Sequence, residues 1–172
     1  GATVSTSHNA SHVDGADLVV YSTAISANNP ERVRAAELEI PILTRAAALA
    51  VLMSESKSIA VAGTHGKTTT SSMLAVALQA CGADPSFAIG GTITASGSNA
   101  HRGTGEIFVA EADESDGSFI EYNPFAAIVT NVEHDHVDFF PTPESVAQAF
   151  RDFVATIKPE GFLTYCADDA GS

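Results

Sequence analysis

The amino-acid sequence predicts an α/β fold, with mostly parallel sheets that are flanked by helices. Two observations support this prediction: short apolar runs alternate with helical segments along the chain, and a glycine-rich turn joins one predicted strand to the helix after it. Alternation of this kind is typical of parallel strands with helices on both faces of the sheet. The hydrophobic fraction of 45% over 172 residues is sufficient for a sizeable core.

Composition disfavours several classes of protein. The chain has 8 Lys and Arg against 21 Asp and Glu, a formal net charge of −13, whereas nucleic-acid binding requires basic surfaces. No apolar run approaches the roughly 20 residues of a membrane span, so we expect no membrane association. Cys81 and Cys166 form neither a disulfide framework nor a metal-binding pair, which favours a cytoplasmic location. Because the sequence starts at Gly1 without Met, we expect a piece of a longer protein, whose oligomeric state is left open.

The first part of the chain predicts the order strand, helix, strand, helix. An apolar run at 17–21 is typical of a buried strand. Asn29 and Pro30 predict a helix start, because Asn caps helices and Pro suits the first helical position. A second strand is predicted at 40–43, and an alanine-rich helix opens at Thr44. The G-x-G-x-x-G motif of dinucleotide-binding domains does not occur in this part of the sequence.

A polar break at 54–58 is the best candidate linker, and the alternation resumes after it. A polar, glycine-rich segment at 95–105 predicts a loop. The helix predicted at 67–80 is expected to carry an apolar stripe of Met73, Leu74, Ala77 and Leu78. The remaining predicted elements are a helix that starts at Thr142 and strands at 59–62, 87–89, 107–110, 126–130 and 162–166.

The most specific motif is GTHGKTTT at 63–70, which follows a predicted strand and precedes a predicted helix. A helix N-terminus presents unpaired N–H groups, and glycines let the backbone fold around phosphate oxygens. Lys67 supplies a charge for the β- and γ-phosphates of a nucleotide, and the Thr68 hydroxyl is suited to bind Mg²⁺. Val61 stands where the common G-x-x-x-x-G-K-[ST] form has its first glycine, so this is a shorter phosphate-binding loop. For His65, exposure to solvent is favoured over contact with the ligand.

Acidic residues and histidines follow two further strands. Glu111 comes directly after the strand at 107–110 and opens a run with four acidic residues in six positions. His134 and His136 follow the strand at 126–130. Since ligands bind at the carboxyl ends of parallel strands, these residues are expected near the phosphate-binding loop. The histidines leave a zinc site open as an alternative, but Mg²⁺ bridging nucleotide phosphates is favoured.

Lys67, Thr68, Glu111 and His136 therefore form a candidate catalytic constellation gathered from three strand ends. This combination suits phosphoryl transfer from ATP to an acceptor oxygen, where catalysis consists mainly of positioning and charge neutralisation. A nucleotide-binding module without this chemistry is a second interpretation, because the phosphate-binding loop alone is sufficient for it.

Three motifs in this order, GTHGKTTT, EADESDGSF and TNVEHDHVD, resemble those of the Mur ligases. The first part of the chain, with GADLVVYSTAI, NNPE and EIPILTRAAALAVLM, is also similar to the end of that family's UDP-sugar-binding domain. The resemblance implies two partial domains: residues 1–54 from a Rossmann-like N-terminal domain that binds the UDP-substrate, and residues 55–172 from a P-loop central ATPase domain. The rest of the central domain and a C-terminal domain are then expected outside this chain, which we expect to be inactive alone.

The resemblance also implies a reaction, the ATP-dependent, ADP-forming joining of L-alanine to UDP-N-acetylmuramate through an acyl phosphate in peptidoglycan precursor synthesis. It implies ATP and Mg²⁺ as cofactors, with Mn²⁺ as the alternative metal. The implied catalytic residues are Lys67, Glu111 and His136, and the implied metal ligands are Thr68, Glu111 and His136. The implied nucleotide-binding residues are Gly63, Thr64, His65, Gly66, Lys67, Thr68 and Thr69, and those beside the UDP-sugar are Ser22, Thr23, Ala24 and Ile25.

Two related activities are alternatives within the same resemblance. One is a muropeptide ligase of cell-wall recycling, which joins a tripeptide in place of alanine. The other is a folylpolyglutamate-type synthetase, which is less favoured because those enzymes usually lack the histidine in the loop and the EADESD run.

Overall fold

The structure, a computed structural model, describes residues 2–94 and 96–172. The chain forms two compact units, Gly1–Leu49 and Ala50–Ser172, and the division lies inside the helix Arg45–Ser54. The assignment of the two parts of the chain to two particular domains stays a prediction. None of the helices in the described residues is long and apolar enough to cross a membrane.

The first unit contains two parallel strands joined by a helix. Its elements are a 3₁₀ turn at Ala10–Val13, β1 at Val19–Tyr21, α1 at Pro30–Glu37, β2 at Ile42–Thr44 and the start of α2 at Arg45–Ser54. Val19 of β1 is paired with Ile42 of β2. The side chain of Asn29 accepts a hydrogen bond from the N–H of Glu31 at 2.9 Å, so Asn29 caps α1 as the sequence predicts.

The second unit is built around one sheet of six strands. Its elements are β3 (Lys57–Ala62), α3 (Lys67–Ala80), β4 (Ser86–Ile93), β5 (Ser98–His101), β6 (Ile107–Glu111), a 3₁₀ turn (Ser118–Glu121), β7 (Ala126–Val129), α4 (Pro143–Ala155) and β8 (Phe162–Tyr165). The strand order is β5-β4-β6-β3-β7-β8. Neighbouring strands are parallel except β4 and β5, which are antiparallel. The predicted α/β fold with a mostly parallel sheet is confirmed.

The inner strands β6, β3 and β7 place their carboxyl ends side by side. Val61 of β3 is paired with Glu111 of β6, and Ala62 of β3 is paired with Val129 of β7. The crossover through α3 leads from β3 to β4, whereas the crossover through α4 leads from β7 to β8 in the opposite direction along the sheet. Because such crossovers are right-handed, α3 and α4 lie on opposite faces. Ligands of open α/β sheets bind at strand ends where the connections diverge in this way.

Apolar side chains fill both faces of this sheet. Beneath α3, the core consists of Ala75, Phe87, Ile89, Ile93 and Val109, with Leu74, Leu78 and Ile107 packed against it. A second cluster contains Phe119, which is stacked on Phe153 with ring centroids 4.8 Å apart and meets Phe150 edge-on at 5.4 Å. Full burial of each large apolar side chain stabilises the fold by about 1.5–3 kcal/mol.

Two predicted irregular segments contain regular structure. The polar break at 54–58, predicted as a linker, is shorter in the structure, since Ser54 ends α2 and Lys57 begins β3. The loop predicted at 95–105 contains β5, and its first residue, Ala95, lies outside the described residues, as does Gly1. The sequence of β5 has no apolar alternation because the strand lies at the edge of the sheet and is mostly exposed.

Two further details differ from the predictions. β4 extends to Ile93, well past the short strand predicted at 87–89. The buried positions of α3 are Ser71 and Ala75, whereas Met73, predicted in the apolar stripe, is 67% exposed. Because these buried residues are small, α3 can approach the sheet closely. The face of α3 that packs on the sheet is therefore centred on Ser71 and Ala75 and not on the predicted apolar stripe.

Candidate active site

The segment between β3 and α3 turns at two glycines. Gly63 has a φ of 135° and Gly66 a φ of 82°, both in the region that disfavours side chains. A Cβ atom at residue 63 would lie 1.9 Å from Oγ1 of Thr130, so the loop passes against the end of β7 too closely for a side chain. α3 starts directly after Gly66 without a side-chain cap, which leaves its first N–H groups available to bind an anion.

Residues after β7 hold this loop in shape. The N–H of Thr64 donates to the carbonyl of Asn131 at 3.1 Å, and the N–H of His65 donates to Oδ1 of Asn131 at 2.9 Å. The carbonyl of His65 accepts hydrogen bonds from the Thr130 hydroxyl at 2.6 Å and from the Asn131 amide at 3.0 Å. The Thr64 hydroxyl donates to the carbonyl of Glu133 and accepts a hydrogen bond from the N–H of the same residue. The loop at 63–66 is therefore tied by several hydrogen bonds to the segment after β7.

Lys67 points back over the loop that precedes it. Its ammonium donates to the carbonyl of Gly63 at 2.7 Å and to the carboxylate of Glu114, whose two oxygens lie 2.8 and 3.0 Å away. Glu114 is 1% exposed, so this ion pair is shielded from water. Such charge-assisted hydrogen bonds are strong, and the pair fixes a side chain that is otherwise flexible.

Thr68 and Glu111 meet directly. The Thr68 hydroxyl donates to Oε1 of Glu111 at 3.0 Å, and the N–H of Gly90 donates to Oε2 at 2.8 Å. A Cβ atom at Gly90 would lie 3.0 Å from Glu111, and one at Gly91 would lie 2.7 Å from the Thr68 methyl group. The paired glycines of β4 thus make room for these two side chains, which explains glycine inside a strand.

His136 lies at the same edge of the sheet. It has a φ of 52°, which is uncommon for a residue with a side chain, and its Nε2 is 3.4 Å from Oε1 of Glu114. The N–H of His136 donates to Asp135 at 2.7 Å, and this hydrogen bond holds the pKa of the Asp135 carboxyl below its usual range. The structure therefore brings Lys67 and His136 to the same buried carboxylate.

The other two histidines of these motifs have different surroundings. The side chain of His65 is 62% exposed and its Nε2 lies 3.8 Å from the Glu133 carboxylate, as expected for a residue that faces solvent. The ring of His134 is 3.0 Å from the carbonyl of Phe140. In residues 2–94 and 96–172, no group of three or more His, Cys, Asp and Glu side chains has the geometry of a metal site.

The chemistry of two neighbouring side chains nevertheless fits a divalent cation. A hydroxyl and a carboxylate, those of Thr68 and Glu111, already lie within hydrogen-bond distance of one another beside the phosphate-binding loop. Hard oxygen donors of this kind suit Mg²⁺, which is commonly held by one or two protein oxygens and by nucleotide phosphates. The imidazole of His136 is a softer donor, and in this structure it faces Glu114.

The residues predicted beside a UDP-sugar form a turn after β1, in the first unit. The N–H of Ile25 donates to the carbonyl of Ser22 at 2.8 Å, and the guanidinium of Arg32 donates to the carbonyl of Ile25 at 2.7 Å. The same guanidinium lies 3.9 Å from the ring centre of Tyr21. Arg32 thus fixes this turn against α1, through a hydrogen bond and a cation–π contact.

Several site residues were missed from the sequence. Glu114 belongs to the acidic run, but nothing in the run distinguishes a buried carboxylate from a solvated one. Thr130 and Asn131 lie in the third motif, and their position directly after a strand was the available signal. The role of Gly90 depends on the side chain that lies opposite it in the sheet. The pairing of β4 with β6 decides which side chain that is, and the local sequence does not reveal this pairing.

Two family profiles and several named proteins match this chain. The family profile described as "Mur ligase middle domain" matches residues 61–172, and the profile "Mur ligase family, catalytic domain" matches residues 1–57. A protein of Nocardioides sp. named UDP-N-acetylmuramate–L-alanine ligase is 55% identical over the whole chain, and one of the same name from Saccharopolyspora erythraea is 54% identical. The chain spans only 39% and 36% of the lengths of these two relatives.

Solved structures also match. The UDP-N-acetylmuramate–alanine ligase of Thermotoga maritima has a TM-score of 0.84 at 31% identity, over 97% of this chain and 39% of its own. The UDP-N-acetylmuramate:L-alanyl-gamma-D-glutamyl-meso-diaminopimelate ligase of Neisseria meningitides has a TM-score of 0.85 at 29% identity, over 95% of this chain and 56% of its own. Since the middle-domain profile covers more than half of the sequence and the motifs lie in the geometry described above, the chain belongs to the Mur ligase family.

Proposed function

We propose that the full-length protein joins L-alanine to UDP-N-acetylmuramate with cleavage of ATP to ADP and phosphate. The observation that carries this proposal is the 54–55% identity, over the whole chain, to relatives named for that reaction. The contacts of Lys67 with Gly63 and of Thr68 with Glu111 support it, because they put an ammonium group and hard oxygen donors beside a loop suited to phosphate. We further propose that the reaction serves peptidoglycan precursor synthesis in the cytoplasm.

In this proposal the loop from Gly63 to Thr69 binds the phosphates of ATP. The N–H groups at the start of α3 bind phosphate oxygens, and Lys67 places its positive charge at the transferred phosphoryl group. His65 contributes to the shape of the loop, because its N–H and carbonyl are bonded to Asn131 and its side chain faces solvent. The close approach at Gly63 keeps the loop in one conformation, so little reorganisation is needed when charge develops on the phosphate.

A divalent cation, Mg²⁺ or Mn²⁺, belongs to the proposal. Thr68 and Glu111 would hold it, and His136, held beside Glu114, would contribute a third ligand. When bound, such an ion neutralises the charge of the nucleotide phosphates. Glu111 is already oriented for this role, because the N–H of Gly90 fixes one of its two oxygens.

The proposed chemistry runs in two steps. The carboxylate oxygen of the muramyl lactyl group attacks the γ-phosphorus of ATP, giving an acyl phosphate and ADP. The amine of L-alanine then attacks the acyl carbon, its nitrogen loses one proton to water or to the departing phosphate, and the amide forms as phosphate leaves. For this chain we propose that Lys67 stabilises the transferred phosphoryl group in the first step, and that the turn of Ser22, Thr23, Ala24 and Ile25 lies beside the UDP-sugar.

A second candidate is the joining of a tripeptide, as the name of the Neisseria ligase states for that protein. Its TM-score, 0.85, is as high as that of the Thermotoga alanine ligase, 0.84, so fold similarity does not discriminate between the two activities. The identities above 50% to alanine ligases favour alanine.

The test is an assay of the full-length protein with ATP, Mg²⁺, UDP-N-acetylmuramate and either L-alanine or L-alanyl-gamma-D-glutamyl-meso-diaminopimelate. We expect ADP, phosphate and amide product in equal amounts with alanine, and less than one tenth of that rate with the tripeptide, a difference of about 1.4 kcal/mol or more. Lys67→Ala should lower kcat/KM by about 100-fold or more, because one charge that stabilises the transition state is lost.

Lys57→Ala is the matched control. Lys57 also pairs with a glutamate, Glu106 at 3.3 Å, but its side chain is 64% exposed, so its removal should change kcat/KM less than about twofold. Amide formation with the tripeptide alone would replace the alanine assignment by the second candidate. ATP binding that depends on Lys67 without amide from either acceptor would reduce the protein to a nucleotide-binding module.

A further inference from the structure

The acidic run after β6 contains one carboxylate that is different from its neighbours. The side chain of Glu114 is 2% exposed, although it lies three residues beyond the end of β6 in a polar segment. A buried carboxylate is unfavourable unless its oxygens have partners. Both oxygens of Glu114 contact the Lys67 ammonium, at 2.8 and 3.0 Å, and one of them also lies 3.4 Å from Nε2 of His136. One carboxylate therefore joins two residues from two different strand ends.

The contacts of Lys67 determine what its ammonium can still bind. An ammonium has three N–H donors. One is directed at the carbonyl of Gly63 at 2.7 Å, and a second is directed at Glu114. The third has only weaker contacts, with the other oxygen of Glu114 at 3.0 Å and with the carbonyl of Thr64 at 3.4 Å. This third N–H is the one that can be donated to a phosphoryl oxygen, and its direction is set by the first two.

From these contacts we infer that Glu114 is a positioning residue for the reaction: it fixes the Lys67 ammonium and the His136 imidazole relative to the phosphate-binding loop. This inference rests on the proposed function where it concerns catalysis. We place Glu114 outside the nucleotide contacts, because both of its oxygens face the Lys67 ammonium and one of them also lies 3.4 Å from the His136 imidazole. Its removal should affect kcat more than the KM for ATP, since the loop N–H groups bind the ground-state phosphates without it.

The experiment compares Glu114→Gln and Glu114→Asp in the full-length protein. Gln keeps the length of the side chain and loses the charge, whereas Asp keeps the charge and withdraws it by one methylene. We expect kcat to fall by about 10- to 100-fold in Glu114→Gln and by less in Glu114→Asp, with the KM for ATP changed less than kcat in both. A residue that only fills space would give the opposite order, since Gln fits the same volume and Asp does not.

Glu106→Gln is the matched control, because Glu106 also pairs with a lysine but its side chain is 81% exposed. It should leave kcat within about twofold of the wild type. A Glu114→Gln enzyme with a kcat as high as that of Glu106→Gln would overturn the inference. So would an effect that disappears when the rate is expressed per folded molecule, measured by circular dichroism.

A spectroscopic readout separates this inference from the proposed function. In protein labelled with ¹⁵N, Glu114→Gln should shift the signals of both the Lys67 ammonium and the His136 imidazole, and Glu106→Gln should shift neither. If the wild type forms no amide but both signals shift, the proposed function fails and the positioning by Glu114 stands. If neither signal shifts, the positioning is wrong, whatever the wild type catalyses.

Discussion

Gly63 occupies the tightest position of the candidate site. Its φ of 135° disfavours any other residue, and a Cβ atom there would lie 1.9 Å from Oγ1 of Thr130. The Thr130 hydroxyl is itself bonded to the loop carbonyl of His65, so it cannot move without loss of that bond. The contact explains why this end of the loop is a glycine, in terms of a specific neighbouring atom.

We expect Gly63→Ala to lower the free energy of unfolding by more than about 2 kcal/mol and to abolish nucleotide binding, because both the backbone and Thr130 must shift. Urea unfolding and titration with ATP measure the two effects. The control is Gly82→Ala, at a φ of 78°, where no heavy atom of the described chain lies within 4 Å of the Cβ position. That variant should lower the free energy of unfolding by about 1 kcal/mol and leave ATP binding unchanged. Equal costs would show that the contact with Thr130 is unimportant.

At the level of single residues, the sequence predicted the site only in part. Lys67, Thr68 and Glu111 are identifiable because each follows a strand within a motif of recognisable chemistry. Glu114 cannot be identified from the sequence, because burial of one carboxylate among four depends on how the segment folds over Lys67. Thr130 cannot be identified either, because its role is a contact with Gly63, which lies 67 positions earlier in the chain.

The secondary-structure elements whose ends have side-chain signals were the easiest to predict. α1 starts at Pro30 after its cap Asn29, and α4 starts at Pro143 after its cap Thr142, which forms a capping box with Ser145. β5 was missed because it is held by backbone pairing with β4, of Phe87 with His101 and Ala88 with Ala100, and carries polar residues. A strand at an edge needs no apolar face, so its sequence resembles that of a loop.

The start of α1 is also joined to the segment before β1. Glu31, in the first turn of α1, is hydrogen-bonded to the ring Nδ1 atoms of His8 at 2.6 Å and His12 at 2.7 Å. These two bonds lower the pKa of Glu31 to about 2, and the bond with His8 has the larger effect. The folded-state pKa lies below the ordinary value of 4.5, so the stabilisation is complete above pH 4.5 and is lost as the pH falls towards 2.

We therefore expect Glu31→Gln to increase hydrogen exchange in residues 8–14 and 30–37 at pH 5 to 7, and to have no effect near pH 2. Comparison of the variant with the wild type at each pH removes the intrinsic pH dependence of exchange. Glu37→Gln is the control, because Glu37 is in the same helix and its pair with Arg34 is exposed. A difference between Glu31→Gln and the wild type that persists at pH 2 would contradict this role.

The whole molecule divides into two units that carry different kinds of candidate residue. The turn predicted beside the UDP-sugar, Ser22–Ile25, is in the first unit, and every residue proposed to contact ATP is in the second. The sequence predicted the α/β class and the sheet because strand and helix signals alternate over the entire length. It left the order of the strands open, since that order follows from long-range pairing which no local pattern contains.

The site is assembled from segments that lie far apart in the chain. Lys67 and Glu114 are 47 positions apart, and Thr64 and Glu133 are 69 apart. These bonds require β3 to be paired with β6 on one side and with β7 on the other. The entropy of closing both loops must be overcome before any of these bonds contributes, so the site is expected to form late during folding.

Pulse-labelling hydrogen exchange during refolding from urea tests this order of events. The amides of α3 and α4, whose hydrogen bonds are local, should become protected before those of Thr64 and His65, which are bonded to Asn131. Simultaneous protection of all of them would mean that the sheet and its helices form in one step. If the order is as expected, every intermediate that precedes the last pairing lacks a formed loop at 63–66, and under the proposed function a newly made chain can bind nucleotide only when its central strand has a partner on each side.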